Sequence, residues 1–401
     1  MQRLDQVLPE FAKSCVSKCR LGWYFPFTDF PTALVRFTGG PLTRCQPPPL
    51  RLQELELISV VCTDMNALSQ HVQSLQALTA FTFLHPDKAE LFLAVPTCHT
   101  FLTYCTSLLQ LRLQFLGNTS EVHCGHSRLP ELFDRVRLPG VTSIELDTCA
   151  HVDPYGMLPR LPKLQNVSLT LHRNSMHDYK ALSSLSTLQS CRVDLGSTEI
   201  HRMDDVLCDA LPHLSATITS LHLQQWLMGG AFPIICTHTN LQHLDLSESE
   251  VAHLPSGFDP MRCFRKLRNL KSMLWAGGKL RAEYTIALLH ALPDAMTHLD
   301  LTGNQFPASG MQPLSRFMDL RVLKIGWAGS RWWTHALAIA LASHISALVQ
   351  LRKLHIQVSD YHGTSASAVQ EILKSLKTLP YLCREDYSEI EEDMNVRQGG
   401  F

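Results

Sequence analysis

The chain is 401 residues long, 45% hydrophobic and 18% charged, with a formal net charge of −1. That near-neutral balance argues against an electropositive nucleic-acid binder, and 401 residues exceed what one compact core usually holds. No basic-then-apolar leader opens the sequence, and the longest apolar run, His335 to Leu351, is short for a bilayer and broken by Ser343, His344 and Ser346.

Residues 1–49 hold an aromatic stretch (Trp23, Tyr24, Phe25, Phe27, Phe30) followed by Pro41 and Pro47-Pro48-Pro49. They are expected to form a cap, because a stacked array must cover its first face. Over residues 50–380 an apolar pattern L-x-x-L-x-L-x-x-(N/C) returns twelve times, with Val, Ile, Phe, Met or Trp at some Leu positions. Its first positions are Leu52, Leu78, Leu108, Val141, Leu164, Leu188, Ile218, Leu241, Leu270, Met296, Leu320 and Leu351, at intervals of 23 to 33 residues. Self-similarity at this period predicts a solenoid. The central x-L-x-L-x alternation predicts a strand with positions four and six buried and positions three, five and seven facing away. Helical spacing follows in several return legs: Val206 to Leu214, Ile286 to Leu292 before Pro293, and Val369 to Leu376 before Pro380. Residues 381–401 form an acidic C-terminal tail, with its charge between Glu385 and Asp393.

Leu299-Asp300-Leu301-Thr302-Gly303-Asn304 and Leu244-Asp245-Leu246-Ser247 are similar to the consensus of the leucine-rich-repeat family. The helical return legs look most like its ribonuclease-inhibitor-like branch. The resemblance implies an α/β solenoid: a curved right-handed horseshoe of about twelve repeats, with a parallel sheet on the concave face and helices on the convex face. Ten copies depart at the ninth position, where the family uses Asn or Cys to bond the neighbouring loop. They carry residues such as Trp226, Ser249, Gly278 and Ala328 instead, so a regular loop ladder is not expected there. Ubiquitin-ligase substrate receptors often place an F-box before such repeats, and Leu8-Pro9-Glu10 is similar to that motif's start. The spaced Ile and Leu residues that should follow are missing, which favours the cap.

Thirteen cysteines without regular spacing argue against a disulfide framework and fit a reducing, intracellular compartment, cytoplasmic or nuclear. Cys149 and Cys191 stand at repeat positions that suit a small apolar side chain. His123-Cys124-Gly125-His126 and Cys15-x-x-x-Cys19 lack the second close pair that a structural zinc needs. No phosphate loop, nucleophile elbow or H-E-x-x-H motif is present. The sequence therefore predicts a monomeric non-enzyme with no cofactor, no metal, and no nucleic-acid or membrane partner. The residues expected to bind a protein partner lie at positions five and seven of the central and later copies: His222, Gln224, Asp245, Ser247, Asp300, Thr302 and Lys324, with Trp327 near a strand end as an aromatic anchor.

Overall fold

The computed structural model describes residues 18–22, 54–58, 78–85, 102–103, 105–115, 137–147, 155–171, 179–195, 203–224, 229–250, 263–307, 310–327, 335–358, 374, 377 and 379–382. The chain divides into two compact units, Met1–Ser197 with His213–Ser215, and Thr198–Pro212 with Ala216–Phe401. Both are built from the same element. An apolar residue starts a turn, and the x-L-x-L-x that follows becomes a strand pairing in parallel with the strand of the next copy.

In the N-terminal unit these strands are β1 (Lys18–Gly22), β2 (Glu54–Ile58), β3 (Ala80–His85), β4 (Gln110–Phe115), β5 (Ser143–Asp147), β6 (Asn166–Leu171) and β7 (Ser190–Leu195), neighbours in that order. In the C-terminal unit they are β8 (Ser220–Leu223), β9 (His243–Asp245), β10 (Ser272–Leu274), β11 (His298–Thr302), β12 (Val322–Trp327) and β13 (Lys353–Val358). Position four pairs with position four throughout, as in Phe81↔Leu111↔Ile144 and Leu244↔Met273↔Leu299↔Leu323↔Leu354.

Burial follows the predicted alternation. First-position residues from Leu78 to Leu351 and the described residues at positions four and six are at most 7% exposed and form the core. Each such aliphatic side chain contributes about 1.5–3 kcal/mol of burial. The copies starting at Leu78 and Leu270, which depart most from the consensus, keep the same register: Phe81, Met273 and Trp275 fill their interior positions. Position two closes the ladder. Its carbonyl accepts two N–H groups from the next copy, as when Gln165 O takes Gln189 N and Ser190 N at 2.8 and 2.9 Å.

One strand was not expected. β1 lies inside the predicted cap, yet it pairs with β2 so that Cys19 and Leu21 oppose Leu55 and Leu57. Val16-x-x-Cys19-x-Leu21 is thus a further copy, hidden because it starts 36 residues before Leu52, outside the 23- to 33-residue intervals of the others. Leu8-Pro9-Glu10, Cys149, the His123 cluster, the helix predicted over Val369 to Leu376 apart from Lys374, and the acidic tail beyond Leu382 lie outside the described residues.

Repeat length sets the return leg. The 23- and 24-residue copies starting at Val141 and Leu164 return through short 3-10 helices, Tyr155–Arg160 and Tyr179–Ser184. The 30-, 26- and 31-residue copies starting at Leu188, Leu270 and Leu320 have room for α1 (Met203–Ala210), α3 (Ala282–Ala291) and α4 (His335–Ile345). Between them α2 (Ala231–Ile235) is a single turn and a half. The predicted helices near Val206 and Ile286 are α1 and α3, and the latter stops before Pro293.

The loop ladder persists in the C-terminal unit although the consensus residue is mostly absent. Asn304, fully buried, donates from Nδ2 to Trp275 O at 2.6 Å and accepts Leu280 N at 2.9 Å. Two copies earlier Ser249 does the same task with a hydroxyl, donating to Leu223 O at 2.8 Å. Between them the Trp275 indole donates to Ser249 O at 2.9 Å and packs on Phe232 and Phe264, with ring centroids 5.4 and 6.2 Å away. The indole explains Gly278 at the ninth position: a Cβ there would lie 2.5 Å from Nε1 of Trp275. The expectation that these copies lack a ladder is therefore corrected.

Candidate functional site

Positions three, five and seven of the C-terminal unit share the sheet face turned away from the core. Strand pairing puts the position-five residues in one line: His222↔Asp245↔Leu274↔Asp300↔Lys324↔His355. Four of the predicted binding residues, His222, Asp245, Asp300 and Lys324, are therefore neighbours or next neighbours across the sheet.

The motif Leu-Asp-Leu-(Ser/Thr) shapes both carboxylates locally. Asp245 Oδ1 accepts Ser247 N at 2.9 Å; Asp300 Oδ1 accepts Thr302 N at 3.2 Å and Thr302 Oγ1 at 2.9 Å. In each case an aspartate oxygen caps the turn that ends its own strand. The second oxygen faces a neighbouring strand. Asp245 Oδ2 accepts Gln224 Nε2 at 3.0 Å and lies 3.5 Å from His222 Nδ1. Asp300 Oδ2 lies 3.1 Å from Lys324 Nζ.

Facing away from the core does not leave the two aspartates exposed. Asp245 is 7% and Asp300 8% exposed, while His222, Gln224, Ser247, Thr302 and Lys324 around them are half-buried. Alternation places the side chains on the outer face, but hydrogen bonds fold them down onto it. Burial alone would raise the Asp245 pKa; the nearby His222 ring and hydrogen bonds from Ser247 and Gln224 outweigh it and hold the carboxyl below its ordinary range. Trp327 ends β12 opposite Val358; its side chain lies outside the described residues.

Position three contributes groups that the sequence reading passed over. Ser220 Oγ lies 2.9 Å from His222 Nε2 on the same strand. His243 and His298 stand on either side of Ser272. Partial burial lowers the pKa of His243, and His222, His298 and Lys271 lower it further. The order Ser220, His222, Asp245 has the composition of a hydrolase triad. However, 3.5 Å from Nδ1 to the carboxylate is beyond hydrogen-bond reach, and that oxygen is already taken by Gln224. The group is a polar network, not a relay. These residues were legible in principle, since positions three and five share a face on any strand.

In the N-terminal unit Arg112 pairs with Glu145 at 2.9 Å across β4 and β5, and Arg192 with Asp194 at 2.8 Å along β7. Among the described residues no group of three or more His, Cys, Asp or Glu side chains is arranged to hold a metal ion. No described helix is long and apolar enough to cross a membrane.

No protein-family model and no curated protein matches the chain. Among solved structures it is similar to an internalin of Listeria monocytogenes, at 14% identity and a TM-score of 0.47, covering 94% of this chain and 88% of that one. It is also similar to a leucine-rich-repeat protein of Leptospira interrogans, at 14% identity and a TM-score of 0.42, covering 95% of this chain and 81% of that one.

Proposed function

We propose that the chain is a non-enzymatic scaffold of the leucine-rich-repeat kind that binds a protein partner on the outer face of strands β8 to β13. The observation that carries this reading is the position-five line, in which His222, Asp245, Asp300 and Lys324 stand in register around Leu274. Both aspartates are locked by their own turns, so the histidine and lysine beside them are already ordered before any partner arrives. Pre-ordered polar groups of both signs lower the entropic cost of association and favour one binding register over others. Leu274, half-buried between the two carboxylates, supplies an apolar centre.

The test is affinity capture from native cells with a Leu274→Arg, Lys324→Gln variant whose melting curve matches the parent. Leu274→Arg blocks the middle of the line, and Lys324→Gln removes its exposed cation. Loss of the partners captured by the parent supports the reading. Capture of the same partners at the same yield overturns it.

A further inference from the structure

The last two described copies carry a second surface, outside the position-five line. Arg321 and Arg352 stand at position two of consecutive copies, and Arg321 O accepts both Arg352 N and Lys353 N at 2.8 and 2.9 Å. Their side chains and that of Lys353 are exposed, and among the described residues no carboxylate pairs with any of the three. Arg321 and Arg352 stand just before adjacent strands about 4.8 Å apart, and like charges so placed repel each other. The arrangement is therefore one that an anionic ligand would relieve.

Beside these cations lie two apolar side chains that the fold leaves uncovered. Met318 is 49% and Val349 40% exposed. They occupy the same place in consecutive copies, each two residues before a buried leucine, in turns closed by matching hydrogen bonds (Met318 N to Arg316 O, Val349 N to Ala347 O). Leu379, buried and 28 residues after Leu351, starts what would be the next copy, and there the equivalent residue is exposed Lys377. Among its described residues the N-terminal unit has no charged residue at either place. Its equivalent positions hold Thr106, Pro139, Pro162 and Ser186, and at position two Thr79, Leu109, Thr142, Gln165 and Gln189.

We infer that the edge formed by Met318, Arg321, Val349 and Arg352 binds an acidic segment of a partner protein in which apolar residues alternate with carboxylates. An extended peptide places alternate side chains on one side about 6.6 Å apart, so carboxylates can reach the arginines while intervening apolar side chains reach Met318 and Val349. The two uncovered apolar side chains favour such a peptide over a nucleic acid, whose phosphates would use the cations alone. The nearby Asp319 carboxylate, also exposed, disfavours a polyphosphate further. This edge does not depend on the position-five line, so either reading can fail without the other.

The experiment is fluorescence anisotropy of the full chain with three probes: a labelled peptide alternating Glu and Leu, an all-Glu peptide of equal length, and a single-stranded oligouridine. The Glu–Leu peptide should bind most tightly, at least several-fold better than all-Glu, with an affinity that falls as salt rises. Arg321→Glu with Arg352→Glu should weaken it at least tenfold, and Met318→Ser with Val349→Ser should remove its advantage over all-Glu. The Leu274→Arg, Lys324→Gln variant should bind it unchanged. Equal binding by parent and charge-reversed chains with the same melting curve overturns the proposal. So does tighter binding of oligouridine than of the Glu–Leu peptide.

Discussion

At the scale of single residues, Asp245 shows how an outer-face position becomes structural. Its carboxylate takes hydrogen bonds from Gln224 and from the Ser247 backbone while 7% exposed. Removing it leaves those donors without their acceptor, so Asp245→Ala should destabilise by about 1–3 kcal/mol, as for other buried polar partners, well above the cost at an exposed site. Urea melts of parent and variant check this. The carboxyl titrates below its ordinary value of about 4 in the folded chain. Its stabilisation is therefore complete above that value and is lost as the pH falls below it towards the folded pKa. Asp245→Asn should flatten the acid limb of stability against pH and leave the limb above pH 6 parallel to the parent. An unaltered acid limb would mean that the carboxylate is not held. Leu-Asp-Leu-Ser was visible in the sequence, but the turn-capping role of its aspartate was not. Alternation reports which face a side chain leaves from, not which backbone amide it then meets.

At the scale of the repeat element, what the chain keeps constant is the strand and what it varies is the return leg. Positions one, four and six are buried whether the leg is a six-residue 3-10 helix or the eleven-residue α4. Leu299 is buried in β11 with strands on both sides. Leu299→Ala should cost about 2–5 kcal/mol, measured by chemical denaturation, and a loss under 1 kcal/mol would put the residue outside the core. Gly303→Ala should also destabilise, because φ is +77° there and a Cβ would come within 2.8 Å of Gly277. Most of this element was legible, since a three-residue apolar signature with period-two alternation survives substitution at any one place. The copy at Cys19 was missed because its spacing to the next copy is longer than the repeat interval and its aromatic and proline-rich surroundings read as a cap. The ladder at Ser249 and Trp275 was missed because different side chains can reach the same carbonyl row, and a consensus records only the usual one.

At the scale of the whole molecule, each copy is in contact chiefly with its neighbours, so damage should stay local. Two buried thiols report on this. Burial pushes the Cys191 thiol up to about 12 in the N-terminal unit. Burial and then the neighbouring Cys263 raise Cys236 in the C-terminal unit, against a smaller opposing effect of Lys266. Neither thiol is a competent nucleophile until its surroundings open. Leu299→Ala should speed native-state labelling of Cys236 by a thiol reagent and leave that of Cys191 unchanged, read by mass spectrometry of the peptides; equal acceleration at both would mean that the units open together. The position-two carbonyls extend this to time. Arg321 O holds Arg352 N and Lys353 N together, and Thr297 O holds Arg321 N and Val322 N. One acceptor serving two donors means that a single displaced peptide plane frees both hydrogens at once. In deuterated water these amides should gain mass in steps of two, so that the stack frays copy by copy and each copy is counted as a pair.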